Sequence, residues 1–449
     1  MSELLTITLA AGKGTRMKSE LPKVLHKVAG KSMVQHVVDT AENLNPKQNF
    51  VIVGYKGEKV KAETEGNLEF VEQKKQLGTG HAVQQVADQL KNFTGNVLVL
   101  YGDTPLLTES TLKELIAKHN DKEAAITVLT TKVDNPTGYG RIIRDDDKIV
   151  KIVEEDDTNQ KEAKIKEINT GICIFDSQLL VESLAKLDND NAQGEYYLTD
   201  VVKILAEQNK LVTGLMTDNQ QETIGVNTRR HLAKANQILR DRICNYHLDN
   251  GVTIIDPTNT YIDAEVEIGQ DSIIHPFSFI QGESLLEEKV VIGPQSKIVD
   301  SQIGSGTEIK NSWVIGSQIG ADSSVGPYAY IRPGTKTGKN VKIGDFVEVK
   351  QSNIEQDSKV PHLSYIGDAK IGNDTNIGAG TITANYDGIN KYQTIIGDNV
   401  FIGSDSTLIA PIEIGDNAIT GAGAVVNKDV KKEQTVVGIP AKPLNKVDK

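Results

Sequence analysis

The chain has little cysteine, tryptophan or methionine: two Cys, one Trp and four Met in 449 residues. Cys173 and Cys244 stand far apart with no metal-ligand spacing, so a disulfide framework is excluded and a reduced, cytoplasmic protein is expected. A basic surplus is also missing. The net charge of −12 argues against a nucleic-acid partner, which needs clustered Lys and Arg to displace counterions, but it leaves room for a local cationic pocket. No stretch approaches the roughly twenty apolar residues of a membrane span, and no basic segment leads into a long apolar run at the start. No membrane insertion is expected.

What is present falls into two halves, as the length of 449 residues suggests. Residues 1–226 alternate short apolar runs with helical patterns, the grammar of a parallel α/β sheet. Strands are expected at Leu4–Leu9, Asn49–Val53, Asn96–Leu100, Ala125–Leu129 and Thr170–Phe175, and helices at Met33–Leu44, Gly80–Gln89 and Thr108–Asn120. From Thr228 to Asn250, Leu232, Ala235, Leu239, Ile243 and Tyr246 recur at near-helical spacing, with Thr228 as cap and Gly251 as terminator. This stretch reads as a connecting arm.

After Gly251 an aliphatic residue returns every six positions, as in "IGQDSI", "IGPQSK", "IGSGTE", "IGADSS", "IGNDTN" and "IGDNAI". So short a period does not fit a helical repeat; it matches the hexapeptide repeat of a parallel β-helix, whose stacked coils share one apolar interior. One polar interruption, "NYDGINKYQT" at 385–394, projects from the stack and reads as a binding loop.

The first half opens on "LAAGKGTRM", residues 9–17, straight after the apolar run of Leu4–Leu9. Glycines after a strand let backbone N–H groups approach a ligand, and Lys13, Arg16 and Lys23 add positive charge, which points to phosphate. The loop is neither a Walker A motif nor the GxGxxG fingerprint. On spacing alone a tight strand-to-helix turn remains equally open.

Taken together, the motifs resemble the bifunctional UDP-N-acetylglucosamine pyrophosphorylase/glucosamine-1-phosphate N-acetyltransferase family along nearly the whole chain. "LAAGKGTRM" is followed by "LPKVL", "QLGTGHA", "YGDTPL", "GYGR", "EINTGI", "NAQGEYYLTD" and "GVN"; the second half carries "RPG", "FVEVK", "HLSYIGDA", "NIGAGTITANYDG" and "IGS". The resemblance implies an α/β Rossmann-like nucleotidyltransferase domain over residues 1–227 and a helical linker arm over 228–250. A left-handed parallel β-helix of hexapeptide repeats, the acetyltransferase domain, would follow over 251–449. It also implies small-molecule substrates (UTP, sugar 1-phosphates and acetyl-CoA), a role in cell-wall precursor synthesis and a homotrimer.

In the first half the implied chemistry is attack by the phosphate of N-acetylglucosamine 1-phosphate on the α-phosphorus of UTP. By resemblance, Arg16 and Lys23 clamp phosphates, and Leu9, Ala10, Ala11, Gly12, Tyr101 and Gly102 belong to the nucleotide site. Asp103 and Asn227 match Mg²⁺ ligands; on the residues alone they are equally a turn former before Pro105 and a helix cap. Gln73, Gly78 and Thr79 match the uracil-contacting segment, and Gly140, Glu154 and Asn169 match sugar contacts.

In the second half the resemblance implies acetyl transfer from acetyl-CoA to a sugar amine, for which a histidine is a suitable base near neutral pH. His362 matches the catalytic histidine, and Arg332, Lys350, Tyr365 and Asn376 match the amino-sugar phosphate site. Ala379, Asn385, Tyr386, Ser404 and Ala422 match acetyl-CoA contacts, and the family's trimer, with sites between neighbouring β-helices, would let the 385–394 loop reach across an interface. Near the end the chain departs from the pattern: "VVGIPAKPLNK" carries Lys442 where many members place an arginine near the coenzyme. Two other readings stay open, a monofunctional sugar-phosphate nucleotidyltransferase with a structural β-helix and a catalytically dead regulatory subunit. The embedded histidine and polar loop count against the first, and the retained Arg16, Lys23 and Asp103 against the second.

Overall fold

A computed structural model describes residues 3–146 and 148–438; Lys442 lies outside the described residues. The chain divides into two compact units, residues 1–239 and 240–449.

Among the described residues the first unit is built on a nine-stranded sheet. Across it run Val212–Met216, Ile126–Lys132, Glu167–Asp176, Gly95–Tyr101, Glu3–Ala10, Gln48–Val53 and Glu69–Glu72, while the hairpin Arg141–Asp145/Lys148–Val153 joins Glu167–Asp176. Val97, Leu98, Val99 and Leu100 are all buried, because helices cover both faces of the sheet and alternation is therefore lost. The five expected strands and the helices Met33–Glu42 and Glu109–Asp121 form, the latter capped by the Thr108 hydroxyl. The strands Glu69–Glu72, Arg141–Asp145, Lys148–Val153 and Val212–Met216 were not read from the sequence, and two further features differ. Glu167–Asp176 runs antiparallel to both neighbours, so the sheet is mixed. The single helix expected over 80–89 is two, Thr79–Gln84 and Ala87–Leu90, because the Gln85 and Val86 N–H groups bond three residues back instead of four.

The helix Arg229–Asp249 spans the boundary between the units. Thr228 Oγ1 accepts the His231 N–H at 3.2 Å, and Gly251, at φ +88°, follows its end. Ala235 and Ile238 pack in the first unit with Val28, Met33 and Val226, whereas Cys244 belongs to the core of the second. Tyr246, read as part of the apolar stripe, is exposed; Ile243, Cys244 and His247 take the inward positions of that stretch.

In the second unit the strands pair in parallel with the strand three further on, except that Ile419–Thr420 pairs with Thr435–Val436 two further on, making among the described residues sheets of eleven, ten and nine short strands: a left-handed β-helix. Ile274, Ile292, Ile309, Ile343, Ile377 and Ile402 stack along one interior wall. Small hydroxyl residues turn the corners. Ser312 Oγ donates to the Lys310 carbonyl at 2.6 Å and accepts the Ala329 N–H of the next coil at 3.1 Å, so backbone groups freed by the corner stay paired. The polar interruption is an ordered excursion: the Tyr392 N–H bonds the Asn385 carbonyl at 2.8 Å, and Asp387 Oδ1 accepts the N–H groups of Ile389 and Asn390. The coil that contains it is long, with Lys370 paired to Ile395, yet register resumes beyond it.

Two candidate active sites

In the first unit a cavity of about 600 Å³ opens at the carboxyl ends of the parallel strands, where ligands of open α/β sheets bind. Leu9, Ala10, Ala11, Gly12, Lys13, Lys23, Gln73, Gly78, Thr79, Tyr101 and Asp103 line it, as do Gln76 and Glu195, which the sequence reading passed over. Gly102, the next residue after Tyr101, bonds through its N–H to the Leu9 carbonyl at 3.0 Å. Gly14, at φ +61°, is held where any Cβ would overlap the stem of Lys23; the glycine lets that side chain lie against the loop. Arg16 is exposed on the short 3-10 turn Thr15–Met17 and is not part of the cavity lining.

Lys23 Nζ contacts Asp103 Oδ2 and donates to Asn227 Oδ1 at 3.0 Å, gathering residues 80 and 204 positions apart in sequence from the lysine. The Val226 N–H bonds the Asp103 carbonyl at 2.8 Å, which fixes one donor segment to the other. Among the described residues no group of three or more His, Cys, Asp or Glu side chains forms a metal site. Asp103 and Asn227 nevertheless offer two hard oxygens that already converge on a cationic nitrogen, and this donor set fits a divalent ion that draws further oxygens from phosphate and water.

The residues matched to sugar contacts gather beside Tyr101. Asn169 donates its N–H to the Gly140 carbonyl at 2.8 Å, and its Oδ1 accepts the N–H of Gly171, which lies against the Tyr101 ring. The Glu154 carboxyl accepts the Thr199 hydroxyl at 2.9 Å. Burial raises the pKa of Glu154 and pushes that of Tyr101 well above the usual tyrosine range. Gln73 donates its amide to the Gly78 carbonyl and to His81, which ties together the segment matched to uracil contacts.

In the second unit His362 Nδ1 lies 2.6 Å from Asp345 Oδ1 on the preceding coil. That hydrogen bond is the leading cause that holds the Asp345 carboxyl below the ordinary carboxylate pKa. His362 lies three residues past Lys359, and Ala379, Ser404 and Ala422 each lie three past Asn376, Phe401 and Ile419, the successive register partners of Lys359. The four therefore stack on successive coils at one corner of the prism.

A second group sits on a neighbouring sheet. Arg332 pairs with Glu348 at 2.8 Å, Lys350 with Asp368 at 3.4 Å, and Asn385 also donates to Asp368. A methyl at Gly367 would lie 2.5 Å from Tyr365 Oη and 2.8 Å from Asn385 Nδ2, so those two polar groups meet over the one residue without a side chain. Lys391, from the interrupting loop, joins them; hydrogen bonding to Lys350 and the repulsion of its charge lower the Lys391 pKa. Asn376 stands apart from this group, on another sheet between Lys359 and Phe401. Tyr386 is exposed, its hydroxyl bonded to the Gly388 carbonyl.

The sequence reading missed Asp345, Glu348, Asp368 and Lys391. Three of them carried a signal: Asp345, Glu348 and Asp368 lie 17, 16 and 18 positions from their partners, about one coil of the repeat.

Two family resemblances cover these two architectures. Residues 5–243 match the nucleotidyl transferase family, and residues 393–428 match the bacterial transferase hexapeptide family of six repeats. A solved structure of UDP-glucose pyrophosphorylase complexed with UDP-glucose covers 54% of this chain at 18% identity and a TM-score of 0.43. The chain is thus a transferase carrying a nucleotidyl transferase unit and a hexapeptide unit. It is 47% identical to the bifunctional protein GlmU of Brevibacillus brevis, spanning all of this chain and 97% of that one. It is 50% identical to the bifunctional protein GlmU of Streptococcus uberis over 96% of this chain and 94% of that one. The chain belongs to the family of bifunctional GlmU proteins.

Proposed function

We propose that this chain performs two successive transfers in UDP-N-acetylglucosamine synthesis, a precursor step of cell-wall building, with the residue roles given below. In the second unit acetyl-CoA acetylates glucosamine 1-phosphate. The amine lone pair attacks the thioester carbonyl, His362 takes the amine proton, and the C–S bond breaks to release coenzyme A. Asp345 holds the Nδ1 edge of the imidazole, which leaves Nε2 to accept that proton. Arg332, Lys350 and Lys391 bind the sugar phosphate, whose charge relieves the repulsion between the two lysines. Acetyl-CoA runs along the corner formed by Ala379, Ser404 and Ala422, and Asn385 and Tyr386, which lie with the Lys350 group on the neighbouring sheet, reach it from another copy of the chain.

In the first unit an oxygen of N-acetylglucosamine 1-phosphate attacks the α-phosphorus of UTP and pyrophosphate leaves, so one P–O bond forms as another breaks. Arg16 and Lys23 neutralise phosphate charge, Gln73, Gly78 and Thr79 hold the uracil, and Gly140, Glu154 and Asn169 hold the sugar. Asp103 and Asn227 would hold Mg²⁺, which when bound supplies charge neutralisation at the phosphate oxygens.

A homotrimer in the cytoplasm is part of this reading. Phe279, Trp313, Tyr330, Ile382 and Val425 are exposed on one outer face of the β-helix, interleaved with Lys297, Glu348, Tyr365 and Thr407, and apolar side chains left this open suit burial by another copy of the chain. No helix of the described residues is long and apolar enough to cross a membrane.

The observation that carries the bifunctional reading is the His362–Asp345 pair at the head of the Ala379–Ser404–Ala422 corner. A β-helix that serves only assembly has no use for it. Separate assays of one preparation, for pyrophosphate release from UTP and for free coenzyme thiol from acetyl-CoA, test the reading. Absence of the thiol signal in folded protein would reduce the enzyme to a nucleotidyltransferase.

A further inference from the structure

We propose that Lys23 is a tethered cation that keeps divalent metal off the Asp103 and Asn227 oxygens until nucleotide phosphates draw it away. This rests on the reading that Asp103 and Asn227 are the metal ligands.

The ammonium stands where the ion's charge would be needed. It touches Asp103 Oδ2 and lies 3.0 Å from Asn227 Oδ1, and the Lys23 and Asp103 side chains are only 16% and 13% exposed, so solvent screens the contact little. The backbone segments that carry the two oxygens are fixed independently of it: the Val226 N–H is bonded to the Asp103 carbonyl at 2.8 Å, and His231 Nδ1 lies 3.1 Å from the Gly225 carbonyl. The donor segments are therefore set by their own backbone, and the lysine head is the group that must leave, on a stem that lies against Gly14 of the phosphate-facing loop. An ammonium and a divalent ion cannot share one pair of oxygens at contact distance, because like charges so close repel strongly in a partly dry site. In the free enzyme, metal entry must displace Lys23 from its anionic partner. With a polyphosphate in the loop the displaced ammonium gains a new anion. Metal and nucleotide thus bind with positive coupling, and the lysine is the element through which each favours the other.

The test is Mn²⁺ binding to the full-length, nucleotide-free chain, followed by titration calorimetry and by the paramagnetic resonance signal of free Mn²⁺. Lys23→Met, which keeps the stem and removes the charge, should bind Mn²⁺ about tenfold more tightly than wild type, or better still. Lys23→Arg, which keeps the charge, should stay as weak as wild type. Unchanged or weaker affinity in Lys23→Met, or the same gain in Lys23→Arg, overturns the proposal, provided near-ultraviolet circular dichroism shows native packing; Lys23→Gln serves where Lys23→Met does not fold. The double variant Lys23→Met/Asp103→Asn separates the two readings. It should lose the gain, and a gain that persists would place the ion elsewhere and overturn the assignment of Asp103.

Discussion

Asp345 and His362 face each other on consecutive coils, register partners whose Oδ1 and Nδ1 atoms lie 2.6 Å apart. The contact selects which imidazole nitrogen is left for a substrate. Asp345→Asn keeps the size and removes the charge that steadies the protonated ring. Acetyl-transfer turnover should fall about tenfold or more, within the range for disturbing a general base, while KM for glucosamine 1-phosphate and the rate of uridylyl transfer hold. A loss expressed wholly in KM would make Asp345 a binding residue.

Asp103→Ala should nearly abolish pyrophosphate release and leave the thiol-release rate close to wild type, since each compact unit has its own core. Loss of both activities in a folded variant would contradict independent sites.

Gly367→Ala introduces a methyl 2.5 Å from the Tyr365 hydroxyl and 2.8 Å from the Asn385 amide. Both groups must shift, so KM for glucosamine 1-phosphate should rise by about tenfold, the scale of one lost polar contact. Steady-state acetyl transfer at varied sugar phosphate reads this out, and an unchanged KM would remove Tyr365 from the phosphate site.

His119 is buried on the helix Glu109–Asp121, bonded to Thr127 at 3.1 Å, and burial lowers its pKa from 6.5 to about 4, against the opposing charge of Asp176. A depressed histidine pKa means that below pH 6.5 the unfolded chain takes up a proton that the folded chain refuses. The contribution of His119 to the stability of the first unit should therefore fall by about 3 kcal/mol as pH drops from 6.5 to about 4 and change no further below that value. Denaturant melts of wild type and His119→Gln across this range check it: the variant should lose that part of the slope.

His362→Ala and Asn385→Ala chains, each poor in acetyl transfer alone, should partly recover activity when co-assembled, if the interrupting loop serves a neighbouring subunit's site. Tagged mixed oligomers with no recovery at any ratio would put both residues in one subunit's site.

The hexapeptide period was legible in the sequence because a coil that buries one aliphatic residue per wall writes that residue into the chain at a fixed spacing. "IGADSS" and "IGNDTN", returning along the second half, lead to a β-helix whose coils stack on one another. Five strands of the first unit were legible for the same reason, as apolar runs buried on both faces, while Glu69–Glu72, Arg141–Asp145, Lys148–Val153 and Val212–Met216 were not. The antiparallel course of Glu167–Asp176 was not, since an apolar run carries no direction. Nor did local pattern place Tyr246 outside the core: helical spacing names a face, and the neighbouring element decides where that face points. Side-chain convergence belongs wholly to tertiary structure. Lys23, Asp103 and Asn227 meet because three separate segments are packed into one corner of the first unit, and Ala379 stacks under Ser404 despite the loop between them because register is set by backbone pairing and not by counting residues. Sequence determined the coil and the residue types available to each site; packing decided which of them touch.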